Sequence, residues 1–158
     1  QRDLQEAGLP ADVASAGTAA PRDATPDPKL QRVALERGVD VSPHRSQRLK
    51  PEHVAAADLV LVMTRAHAKQ VLDVDPSATD RVVTLRAAAW KARTLSGRGQ
   101  DFSSWVRSLA ADVPAAERAW STSQDIADPI GRPLRRYREM AEEVDASVAA
   151  LVRHWPAT

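Results

Sequence analysis

The sequence predicts an α/β fold, a three-layer αβα sandwich on a short parallel sheet, from three observations. Asp58-Leu59-Val60-Leu61-Val62-Met63 is a continuous apolar run bounded by polar residues, the pattern of a central parallel strand covered on both faces. Arg81-Val82-Val83-Thr84-Leu85 is a second strand-forming run. Helical segments precede, separate and follow these runs, and such alternation favours parallel strands joined by helical crossovers.

The remaining elements follow from local chemistry. Gln1 to Gly8 reads as the last turns of a helix, with Gly8 in the left-handed cap position. Asp12 to Ala16 reads as a short strand ending at Gly17. Pro21 to Pro28 is a loop, because its prolines leave few backbone donors for regular pairing. Asp27 caps a helix that starts at Pro28, carries Leu30, Val33, Ala34 and Leu35 on one side, and stops at Gly38. Val39 to Leu49 is a turn-rich link, and Pro51 starts a short helix to Ala57. Thr64 caps a helix running through His67 and Leu72 toward Pro76. Ala87 to Leu95 is helical, Ser96 to Gln100 is a Gly-rich break, and Phe102, Val106 and Leu109 recur at helical spacing. The last helix spans Pro133 to about Trp155, with Leu134, Tyr137, Met140, Val144, Val148 and Leu151 on one stripe.

A chain of 158 residues is one domain, 1–158, with 43% hydrophobic and 27% charged residues. Its net charge of +1 argues against binding nucleic acid or an acidic membrane surface, since neither sign dominates. No apolar run reaches the roughly 18 residues that span a bilayer, and no basic-then-apolar leader opens the chain. A cytoplasmic protein is the expectation. The count of zero Cys removes disulfides and thiolate metal sites together. His53 and His154 have no partners at metal-ligand spacing, so neither metal nor organic cofactor is expected.

Three short segments carry the functional signal: Ser15-Ala16-Gly17-Thr18, His44-Arg45-Ser46, and Asp125-Ile126-Ala127-Asp128-Pro129. Each alone is weak. In this order, with Asp27-Pro28, Gly38-Val39-Asp40-Val41-Ser42, Ala57-Asp58-Leu59 and Met63-Thr64 between them, they resemble the body of a low-molecular-weight protein-tyrosine phosphatase. The similarity covers about residues 1–85 and 124–154. The stretch 86–123 is longer than in compact members and resembles the helical insert of actinobacterial relatives.

The resemblance implies a bacterial hydrolase that works through a cysteinyl-phosphate intermediate. In such enzymes a strand leads into a Cys-x5-Arg loop whose backbone N–H groups cradle phosphate and lower the thiol pKa. An arginine grips the equatorial oxygens, and a carboxylic acid on another loop protonates the leaving oxygen and then activates water. The resemblance assigns that acid/base role to Asp128, with Asp125 as the rival carboxylate. It assigns support of the phosphate loop to Ser15 and His44. Because the chain has no cysteine, it is expected to be a truncated phosphatase-like domain that lacks the first strand and the nucleophile loop and is inactive as given. With its sheet interrupted there, the isolated chain is expected to be insoluble or molten.

The expected partner is a phosphorylated protein (phosphotyrosine) or a small phosphomonoester. Phosphotyrosine enzymes of this family place aromatic side chains after the Ser-Ala turn and after the catalytic Asp-Pro. Here those positions read Ala19-Ala20-Pro21-Arg22 and Ile130-Gly131-Arg132, so stacking on a substrate ring is weaker. A non-catalytic pseudophosphatase that binds a phospho-ligand is the alternative. An arsenate reductase on the same fold would need further cysteines to relay a disulfide.

Overall fold

A computed structural model describes residues 2–95, 100–111 and 124–156. Its elements in chain order are α1 (Arg2–Glu6), α2 (Pro28–Glu36), α3 (Pro51–Ala55), β1 (Val60–Val62), α4 (Arg65–Val74), a 3-10 turn (Pro76–Asp80), β2 (Val82–Thr84), α5 (Leu85–Thr94), α6 (Phe102–Ala110) and α7 (Leu134–Arg153). β1 and β2 pair in parallel, with Val60 opposite Val82, Leu61 opposite Val83 and Val62 opposite Thr84.

Alternation along these two strands creates the layers. Val62 and Val82 face one way and pack with Val54, Ala68, Val71 and Ala78 from α3, α4 and the 3-10 turn. Val83 faces the other way, into a larger cluster with Leu85, Ala88, Trp105, Leu109 and Leu151 from α5, α6 and α7. Helices therefore lie on both sides of β2, whose Val82 and Val83 enter the two clusters. Thr84 is fully buried at the end of β2, and its hydroxyl accepts a hydrogen bond from the Ala87 N–H at 3.3 Å. That capping bond turns the strand directly into α5.

Several elements form where the sequence places them. Asp27 caps α2 by accepting hydrogen bonds from the Lys29 and Leu30 N–H groups. Thr64 caps α4 through the His67 N–H. Gly8 adopts φ +67° after α1, and the Leu9 N–H reaches back to the Leu4 carbonyl at 2.9 Å, closing a Schellman-type end.

Four expectations need correction. The strand predicted at Asp12–Ala16 does not form, because a strand exists only through its ladder. No ladder bond reaches residues 12–16 from the described residues, and Val13 is 51% exposed. A single parallel bridge joins Gly17 and Arg48 instead. β1 is not covered on both faces: Leu61 and Met63 are exposed, and β2 is its one paired neighbour in the described sheet. Leu35 does not share the inner side of α2 with the buried Val33 but points to solvent, 66% exposed. The strand predicted to end at Leu85 stops at Thr84, because the Thr84 cap starts a helix there.

The predicted region 86–123 is only partly described. α5 covers its first residues and α6 its middle, while 96–99 and 112–123, including most of the predicted Gly-rich break, lie outside the described residues. α6 is no surface appendage. Asp101 caps it through the Ser104 N–H, and Trp105, Val106, Leu109 and Ala110 are buried. Trp105 is wholly inaccessible, with its ring centroid 5.9 Å from that of Phe102 and 5.3 Å from that of Trp155. Among the described residues, no helix is long and apolar enough to cross a membrane.

Candidate active site

The predicted site residues fall into two groups, and the structure unites only the first. Ser15 and His44, 29 positions apart in sequence, line one cavity of about 260 Å³ together with Ala16, Gly17, Ser46 and Gln47. Three hydrogen bonds build this junction. The Gly17 N–H donates to the Gln47 carbonyl at 2.9 Å, the Leu49 N–H donates to the Gly17 carbonyl at 3.0 Å, and Gln47 Nε2 donates to the Ser15 carbonyl at 2.9 Å. Gly17 is required by closeness rather than by φ, since a Cβ there would sit 2.6 Å from the Ala20 Cβ. Ser46 locks the second wall: its hydroxyl accepts from the Ala24 N–H at 3.1 Å and donates to the Pro21 carbonyl. Ser15 and His44 themselves stay exposed.

Asp128 does not line this cavity. Its segment is fastened to the carboxyl end of β1, where the Ile126 N–H donates to the Met63 carbonyl at 2.9 Å and the Ile126 side chain enters the core. The carboxyl ends of parallel strands are where open α/β sheets place their ligands. Beyond Ile126 the chain forms a tight loop. Asp128 Oδ1 accepts from the Ile130 N–H at 2.9 Å, and the Arg132 N–H donates to the Pro129 carbonyl at 2.8 Å. Gly131 takes φ +77°, a conformation that favours glycine. The Asp128 side chain is thereby oriented by its own turn and left exposed.

The two carboxylates of this segment, Asp125 and Asp128, have different surroundings. Asp125 Oδ1 accepts from the Arg65 N–H at 3.0 Å and lies 3.4 Å from the Arg65 Nε, with both side chains largely covered. Asp125 is thus committed to the start of α4. Asp128 makes no ion pair within the described residues.

Sequence reasoning missed two contributors. Arg65 neutralises the rival carboxylate, and nothing local in Thr64-Arg65-Ala66 signals a partner 60 residues away. Lys29 is the other: its Nζ donates to the Arg132 carbonyl at 2.9 Å. Nearby, burial, followed by the charge of Asp27, holds the Tyr137 phenol above its usual pKa. A larger cleft of about 320 Å³ opens at the amino ends of β1 and β2, lined by Asp58, Asp80, Arg81 and Arg107 among others. It holds none of the predicted site residues. Among the described residues, no group of three or more His, Cys, Asp or Glu is placed to hold a metal ion.

Comparison with known proteins gives this geometry its context. The family model described as low molecular weight phosphotyrosine protein phosphatase matches residues 1–101. A protein-arginine-phosphatase of Geobacillus stearothermophilus is 29% identical over 149 residues, covering 94% of this chain and 80% of that protein. The Probable low molecular weight protein-tyrosine-phosphatase EpsP of Ralstonia nicotianae is 29% identical over 140 residues, covering 89% and 74%. The solved structure of the YwlE arginine phosphatase from Geobacillus stearothermophilus aligns with TM-score 0.66 and 28% identity over 96% of this chain and 79% of that one. That of a low molecular weight protein tyrosine phosphatase from T. tengcongensis aligns with TM-score 0.71 over 96% and 83%, and at 24% identity it shows the shared fold. The chain belongs to the low molecular weight phosphotyrosine protein phosphatase family of hydrolases.

Proposed function

We propose that this chain is the body of a phosphoprotein phosphatase in which Asp128 acts first as general acid and then as general base. The chain has no cysteine, so the thiol nucleophile of that scheme is not among these 158 residues. A thiolate attacks phosphorus, forming an S–P bond as the P–O bond to the substrate breaks, and Asp128 gives its proton to the departing oxygen. The Asp128 carboxylate then takes a proton from water as that water attacks phosphorus. The S–P bond breaks, releasing phosphate and restoring the thiolate. No metal or organic cofactor enters these steps.

The division of labour between the two carboxylates carries this reading. Asp125 is held by Arg65, whereas Asp128 is exposed on a loop set by its own turn. The shared cavity supports Ser15 and His44 as residues that brace a phosphate-binding loop. Ile130, 69% exposed directly after Pro129, offers an apolar wall without ring stacking. With the 29% identity to a protein-arginine-phosphatase, this makes phosphoarginine a second substrate reading beside phosphotyrosine.

The test assays phosphotyrosine and phosphoarginine peptides with the 158-residue chain and with the product of the reading frame extended upstream of Gln1. The reading expects turnover only from a product that includes a Cys-x5-Arg segment. Turnover by the cysteine-free chain would overturn the thiol scheme, and phosphopeptide binding without turnover by both would establish the pseudophosphatase alternative.

A further inference from the structure

We propose that Lys29 is a positioning residue for the loop that carries Asp128, an inference that rests on the reading of Asp128 as the acid. Lys29 lies in the first turn of α2, just after the Asp27 cap and Pro28. A cation there opposes the helix dipole, which favours negative charge at an amino terminus. Contacts at the other end of the side chain offset that cost.

The Lys29 ammonium is the meeting point of three elements. It belongs to α2, it donates to the Arg132 carbonyl at 2.9 Å, and it lies 5.7 Å from the ring centroid of Tyr137 in the first turn of α7. Tyr137 is 1% exposed, so the ring is a fixed platform for the cation. The bonds inside the loop, Asp128 to Ile130 and Pro129 to Arg132, set its shape but not its placement against the rest of the fold. Pro133 has no N–H with which the loop could fasten itself as it enters α7. The Lys29 bond supplies that fastening, across 103 residues of sequence. Once Ile126 is anchored on Met63 at one end, Lys29 anchors the other, and Asp128 is held between the two.

In a product that carries the Cys-x5-Arg segment, the test compares Lys29→Met, which keeps the apolar stem but loses donor and charge, with Lys29→Arg, which keeps both. Amide hydrogen exchange is followed by NMR at Ile130 and Arg132 in the loop and at Leu151 in the core. The proposal expects exchange at both loop amides to rise about tenfold in the Met variant, to stay near wild type in the Arg variant, and to be unchanged at Leu151 in both. Unchanged loop exchange in the Met variant, an equal rise at Leu151, or no rescue by Arg would each overturn it. Exchange reports loop order whether or not Asp128 moves a proton. Undiminished turnover in Asp128→Asn would therefore defeat the acid assignment and leave the Lys29 result standing.

Discussion

Asp125 accepts a hydrogen bond from the backbone N–H of Arg65 at 3.0 Å while lying 3.4 Å from the same residue's guanidinium. One carboxylate thus joins the segment before the Asp128 loop to the first turn of α4, with both side chains partly buried. Asp125→Ala removes both contacts and should lower stability by about 1–2 kcal/mol. Asp128→Asn keeps an oxygen for the Ile130 N–H and should change stability by less than about 0.5 kcal/mol. Urea denaturation of the two variants checks the contrast, and equal losses would contradict it.

Gly17→Ala tests whether the Ser15–His44 cavity depends on close backbone approach. The added methyl meets the Ala20 Cβ at 2.6 Å, a distance neither short side chain can relieve by rotating. Overpacking of this kind costs about 1–3 kcal/mol. Its effect should centre on residues 15–20 and 44–49, read as NMR shift changes that leave α7 unmoved.

Trp105→Ala tests whether α6 belongs to the core. The indole is fully buried against the stacked rings of Phe102 and Trp155, and its loss should cost about 3–5 kcal/mol. A loss below about 1 kcal/mol would show instead that α6 is a dispensable addition.

The Glu36–Arg138 pair, joining α2 to α7, should give stability an acid-side dependence. Glu36 Oε2 accepts from Arg138 Nε and Oε1 from Arg138 Nη2, each at 2.8 Å. The Arg138 hydrogen bond is the largest influence pulling the Glu36 pKa from 4.5 down to about 2. A carboxylate with a depressed folded-state pKa contributes stability that is fully present above its unfolded value and fades as pH falls. The Tm difference between wild type and Glu36→Gln should therefore be constant above pH 4.5 and vanish between there and pH 2. A difference that persists unchanged at the acid end would refute the pairing.

Local signals were legible in the sequence, and long-range ones were not. The caps at Asp27, Thr64 and Gly8 announced themselves because a cap needs only residues within one turn. The apolar runs at 58–63 and 81–85 gave the strands, though each forms over fewer residues. Asp12–Ala16 misled because its pattern matches a strand while pairing depends on a neighbour that pattern cannot supply. Ser15, His44 and Asp128 are proposed through motif order, not through their chemistry. Arg65 and Lys29 carried no local signal, since their partners lie 60 and 103 residues away.

The central claim is that Asp128, and not Asp125, serves the chemistry. The measurement that tests it most directly is kcat on a phosphorylated peptide for a product that carries a Cys-x5-Arg segment, comparing Asp128→Asn with Asp125→Asn. Both substitutions keep an oxygen for the backbone N–H that each carboxylate accepts, and Asp125→Asn additionally gives up the charge paired with Arg65. The account predicts a fall of about 10²–10⁴-fold for Asp128→Asn and a far smaller change for Asp125→Asn. An undiminished kcat in Asp128→Asn, or the larger loss in Asp125→Asn, would contradict it.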